Sequence, residues 1–216
     1  MRTIPVLAGI ALIYSMRFLP LKKRRIQRLI PWIALAIEVC IIAAMGRWKL
    51  LFSVNNLDPF FLILSPILGT FLFYISLLIN RLSFREATKY TFPFAHILRF
   101  YATHLNRLGH YILVSLREEL LWRATVQYAM GNSPLAVVIT ALLFTVIHIR
   151  SNKVNLLELS DFMIFSLFLG FVFWRYENLV FVILIHTIRN MNLIFYYSVI
   201  RRRRARRCRS SIAIQE

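Results

Sequence analysis

The chain has 216 residues, of which 59% are hydrophobic and 17% charged, with a mean hydropathy of +0.64. A soluble domain runs nearer ~45–50% apolar and ~25% charged, so this composition excludes a disordered chain, a nucleic-acid-binding tail protein and an ordinary cytosolic enzyme. The formal charge is +18, from 27 Lys and Arg against 9 Asp and Glu, and where those charges sit decides what they mean.

Apolar runs predict spans at 4–16, 29–45, 60–79, 110–130, 134–148, 162–174 and 179–200. The fold class expected is therefore all-α, a polytopic transmembrane helix bundle of about seven spans. A spanning helix needs ~20 residues, so the shorter runs extend into flanking polar residues. Arg17, Lys22, Lys23, Arg24, Arg25 and Arg28 follow the first run, and Arg81, Arg85, Lys89, Arg99 and Arg107 follow the third. Arg150 and Lys153 follow the fifth, and Arg201, Arg202, Arg203, Arg204, Arg206, Arg207 and Arg209 follow the last. If every run crosses, these groups share one side, which the positive-inside rule makes cytoplasmic. The expected location is the cell membrane, with the N-terminus outside and the C-terminus cytoplasmic. The first run has its strong charge after the apolar stretch and a poor cleavage site at Phe18-Leu19-Pro20-Leu21, so it reads as a retained helix rather than a signal peptide.

The stretch 80–109 is basic and aromatic, with Phe84, Tyr90, Phe92, Phe94, Phe100 and Tyr101, and reads as a cytoplasmic segment lying on the membrane. It closes an anchoring N-terminal half, 1–108. A helical core, 109–200, and a basic cytoplasmic tail, 201–216, follow. The tail and basic loops are expected to touch anionic lipid. No nucleic-acid partner is expected, because aromatic interleaving and a partner fold are both missing. Cys40 and Cys208 match neither a disulfide scaffold nor a zinc spacing.

Ionisable groups inside a span cost at least ~2.5–3.5 kcal/mol each near its centre, which makes them functional candidates by default. Here they are Glu38, Arg117, Glu118, Glu119, Arg123, His148, His186 and Arg189, with Asn190 as a polar neutral. Glu38 has no partner at helical spacing and must be protonated or meet a base from another helix. Glu118 and Glu119, as sequence neighbours, point ~100° apart around a helix. Glu119 and Arg123 are at i, i+4, the favoured order for an intrahelical ion pair. Glu118 falls on the adjacent face, where a less compensated carboxylate suits a general base near neutral pH. His186 and Asn190 project together from one face of the last span. At 1.5 Å per residue from the expected ends, Glu118 lies ~12 Å and Asn190 ~15 Å from the cytoplasmic boundary. One cluster in the cytoplasmic half of the bilayer is therefore feasible.

A carboxylate with two histidines suits water activation, directly or through a divalent metal such as zinc held by Glu118, His148 and His186. An amide and one imidazole suit donation to an oxyanion. No Ser or Cys nucleophile, Gly-rich phosphate loop or His-Glu-x-x-His occurs in a recognisable setting.

Glu118-Glu119-Leu120-Leu121-Trp122-Arg123, Phe144-Thr145-Val146-Ile147-His148 and His186-Thr187-Ile188-Arg189-Asn190 resemble three motifs of the CAAX-protease and bacteriocin-processing (CPBP, or Abi) intramembrane proteases. Those motifs are Glu-Glu-x-x-x-Arg, Phe-x-x-x-His and His-x-x-x-Asn, in this order on successive helices, and the eukaryotic members are the type II CAAX prenyl proteases. The resemblance covers roughly 109–197 and departs at Ala124, where many members have Gly. It implies an intramembrane endopeptidase acting on a peptide or membrane-protein substrate. Glu118 would be the base that activates water, with His148 assisting. His186 and Asn190 would bind the oxyanion, and Glu119 with Arg123 would brace the site. Prokaryotic relatives are associated with peptide maturation, bacteriocin self-immunity and regulated proteolysis, and a prenylated substrate is not implied. Two other classes share these features: a non-catalytic membrane immunity or scaffold protein of the same fold, and a small proton-coupled transporter.

Overall fold

The computed structural model describes residues 24–46, 58–82, 95–148 and 155–212. They form helices α1 (Arg24–Ala44), α2 (Pro59–Ile79), α3 (Ala95–Ala102), α4 (Leu105–Glu119), α5 (Pro134–Ile147), α6 (Leu156–Tyr176) and α7 (Leu179–Ile212), and α4 continues into a π-helical stretch, Leu120–Gln127. The described residues contain no strand, and the chain is an all-α membrane helix bundle. Among them, three helical segments are long and apolar enough to cross a bilayer: Pro59–Ile79, Leu156–Tyr176 and Leu179–Ser198. The apolar parts of α1 and α5 are shorter, Trp32–Ala44 and Pro134–Ile147. The expected span at 4–16 lies outside the described residues, as does 83–94 of the basic aromatic stretch. The last helix runs beyond the expected end at 200, through the arginines, to Ile212.

Local chemistry sets the helix ends. Asp58 caps α2, accepting from the Phe60 amide at 2.8 Å, with Pro59 in the first turn. Ser133 and Pro134 repeat the arrangement on α5, the Ser133 hydroxyl accepting from the Ala136 amide. Asn155 caps α6 through the Leu157 amide. The α6–α7 connection is only Glu177 and Asn178. Glu177 is left-handed at φ 46°, and the Asn178 side chain accepts from the Phe181 amide. The two helices therefore leave one turn side by side and antiparallel. Beside that turn, Asn132 donates to Glu177 at 3.0 Å. Gln127 Nε2 donates to Asn132 and to the Gly170 carbonyl, both at 2.9 Å. These bonds pin the far end of the bundle, where the π stretch ends and α5 begins.

Burial follows helical stripes. On α1 the buried positions are Ala34, Glu38 and Ile42, one line along the helix, while Leu29, Trp32 and Ile33 are exposed, as suits a lipid-facing side. On α2, Ser65, Gly69, Leu72, Phe73, Ser76 and Leu77 form a second stripe. With no hydrophobic drive between helices in lipid, small residues let backbones approach. Gly69 meets α7 so closely that an added Cβ would stand 2.8 Å from the Ile185 carbonyl and from Ile188 Cβ. Gly170 on α6 is similarly closed by Val137 of α5. Gly69→Ala is therefore expected to destabilise the bundle by about 1–3 kcal/mol through overpacking, read as a lower unfolding midpoint in detergent. The same change at Gly109, where an added Cβ meets nothing, should leave it unmoved.

Candidate active site

The fourth apolar run is not a uniform helix. The α-helix ends at Glu119, and the eight residues Leu120–Gln127, all buried, form π turns. The Thr125 hydroxyl donates to the Leu120 carbonyl five residues back, which matches the wider turn. Such turns are rare and concentrate at functional sites. Here the change of helix type falls between Glu119 and Arg123, the ion pair expected from spacing.

That pair forms: Arg123 Nε stands 3.1 Å from Glu119 Oε2, and both side chains are 0% exposed. The guanidinium also donates through Nη2 to the Ser166 carbonyl and hydroxyl of α6, at 3.1 and 3.0 Å. The other Glu119 oxygen, Oε1, accepts a 2.6 Å bond from His186 Nδ1. A carboxylate can only accept, so His186 carries its proton on Nδ1 and turns Nε2 the other way. That nitrogen faces Glu118, 3.7 Å from Oε2. His148 is fixed by the same logic. Its Nδ1 donates to the Phe144 carbonyl at 2.7 Å, and its Nε2 lies 3.8 Å from Glu118 Oε1. The Phe144 ring packs at a tilt against the His148 ring at 4.2 Å, and the Phe162 ring stacks on it at 4.9 Å.

Glu118 thus stands between two imidazoles, each presenting an unprotonated Nε2 when neutral. Its side chain is 26% exposed, against 0% for Glu119, so the two neighbouring carboxylates divide into one open and one sealed. Glu118, His148, His186 and Asn190 line one cavity of ≈ 170 Å³, together with Phe144, Phe165 and Arg189. A space of that size holds several water molecules at ~30 Å³ each. Its lining reaches His148, at the end of α5, and Glu158, in the first turn of α6. Water is the occupant that suits this polarity, since it donates two hydrogen bonds to groups that mostly accept. Among the described residues, no three His, Cys, Asp or Glu side chains are placed to hold a metal ion.

Spacing did not reveal the link from Glu119 to His186, because it joins different helices. Asp161 lies one residue outside the expected 162–174 span. It is buried in α6 and pairs with Arg189 at 2.7 Å. Glu38 does meet a base from another helix: Arg117, 4.0 Å away. That pair joins α1 to α4 one residue from Glu118.

Residues 101–192 match the family described as type II CAAX prenyl endopeptidase, Rce1-like. That segment is similar to the family over less than half of the chain. It runs from the end of α3 into the first part of α7 and contains Glu118, Glu119, Arg123, His148, His186 and Asn190. No curated protein and no solved structure shows significant similarity to the chain. The match supports a CAAX-type intramembrane protease at the level of the family, and the apolar helices agree with a membrane location.

The sealed ion pair makes a stability prediction. Removing one partner of a buried pair leaves the other uncompensated, at about 3–5 kcal/mol. Arg123→Met should lower the unfolding midpoint in detergent by that measure, whereas Arg107→Met, on an exposed position of α4, should not change it.

Proposed function

We propose that the protein is an intramembrane endopeptidase that hydrolyses a peptide bond with water activated by Glu118. The observation that carries this is the convergence of the Glu118 carboxylate with the Nε2 atoms of His148 and His186, at 3.8 and 3.7 Å, on a polar cavity. A water held among them gives one hydrogen to the carboxylate and another to an imidazole, which leaves its oxygen lone pair free to attack. Glu118 takes the proton as the oxygen adds to the substrate carbonyl carbon, and returns it to the amine as the C–N bond breaks. His148 shares the water. Asn190 donates to the developing oxyanion, and so does His186 while that same proton rests on its Nε2, between its uptake by Glu118 and its delivery to the amine. Glu119 supports that protonated form by accepting from Nδ1, while Arg123 keeps Glu119 ionised.

The substrate in this reading is a peptide or membrane-protein segment entering from the cytoplasmic half of the bilayer. The N-terminus lies outside, and the basic loops and tail rest on anionic lipid. Maturation of a peptide, self-immunity and regulated proteolysis all fit this chemistry.

Comparison of the membrane peptidomes of cells with the intact chain and with Glu118→Ala should reveal a peptide bond cut only by the intact chain. Glu118→Gln and His186→Ala should each lower kcat on that peptide by at least about 100-fold while the protein still accumulates in the membrane. Full processing by both variants rejects the enzyme and favours a non-catalytic protein of the same fold.

A further inference from the structure

Beside the cavity lies a second buried polar cluster that the reaction above does not use. Arg189, on α7 next to Asn190, is 3% exposed. Its Nη2 donates to Asp161 Oδ2 of α6 at 2.7 Å and to the Ser76 hydroxyl of α2 at 2.9 Å, and its Nε donates to the same hydroxyl at 3.1 Å. Ser76 in turn donates to Asp161 Oδ1 at 2.7 Å, and Asn80 Nδ2 donates to Oδ2 at 3.3 Å. The guanidinium lies over the Phe165 ring, 4.1 Å from its centre, and Phe165 packs edge-on against His186 at 4.8 Å. A planar guanidinium held by two atoms and one ring face has almost no freedom left. Its remaining arm, Nη1, reaches the Asn190 side-chain oxygen in a long contact of 3.5 Å.

An oxyanion needs donors, and an asparagine amide offers them only when its oxygen is turned away. From this geometry we infer that Arg189 is a positioning residue. By donating to Asn190 Oδ1 it sets the amide so that Nδ2–H faces the cavity, and Asp161 and Ser76 hold Arg189 in place. The inference rests on the reading of Asn190 as an oxyanion donor. Ser76 and Asn80 lie outside the matched segment 101–192, so a helix of the N-terminal half completes the orientation of a catalytic amide.

The test uses the full chain in detergent, with a fluorogenic peptide built on the bond found by the peptidome comparison. Ser76→Ala keeps the Arg189–Asp161 pair and removes the hydroxyl that fixes the fork. It should lower kcat about three- to tenfold with KM unchanged, and the unfolding midpoint should fall modestly, because the buried Nε–H loses its acceptor. Asn190→Ala should lower kcat about 100-fold. The double variant should be no slower than Asn190→Ala alone, because the hydroxyl acts through the amide. Arg189→Lys, which keeps the charge and loses the fork, should show the same dependence and covers the case in which Ser76→Ala folds poorly. The inference is overturned if either change multiplies its full loss onto Asn190→Ala, or if Asn190→Ala is slow while both changes are silent. Normal cleavage by Asn190→Ala instead removes the oxyanion reading, and this inference with it.

Discussion

One carboxylate holds the site in register. Glu119 is sealed from solvent, takes the charge of Arg123 on one oxygen and the Nδ1 proton of His186 on the other. A buried ion in a membrane helix has a large desolvation cost, and it persists only where its partners are fixed. Here the partners come from the π stretch and from α7, and Arg123 is secured in turn by Ser166 of α6. Glu119 therefore joins three parts of the bundle and sets a single tautomer of His186. Everything at the open face follows: with Nδ1 occupied, Nε2 must face Glu118, and the polar cavity takes its shape from that choice.

The division between the two adjacent glutamates is the useful consequence. Their ~100° separation on a helix puts one inward and one toward the cavity. They then meet opposite nitrogens of the same imidazole, so His186 couples the structural carboxylate to the reactive one. A like-charged pair placed on one face would compete for the same proton. Held apart around a ring, they keep different tasks.

The sequence carried much of this. The apolar runs give the helices, and the i, i+4 spacing gives the Glu119–Arg123 pair. The cost of intramembrane charge puts Glu118, His148 and His186 among the candidates, helical spacing adds Asn190, and these four do line one cavity. What stayed hidden has physical causes. Contacts between helices carry no spacing, so Glu119–His186 and Glu38–Arg117 were invisible one helix at a time. The π turns leave no periodic trace within a stretch buried on all sides. Asp161 escaped because hydropathy places a helix end only to within a few residues, and a charge at the boundary reads as surface. Ser76 and Ser166 escaped because hydroxyls are cheap in apolar helices and bond readily to the preceding turn, as Ser76 also does to Leu72.

The central claim, that a buried carboxylate fixes His186 with Nε2 toward Glu118, is open to direct measurement. Nitrogen-15 NMR of histidine-labelled protein in micelles at neutral pH, with the signal assigned by its loss in His186→Gln, reports which ring nitrogen carries the proton. The account predicts hydrogen on Nδ1, a bare Nε2, and loss of that preference in Glu119→Leu. A His186 ring protonated only on Nε2, or one indifferent to the loss of Glu119, would contradict it.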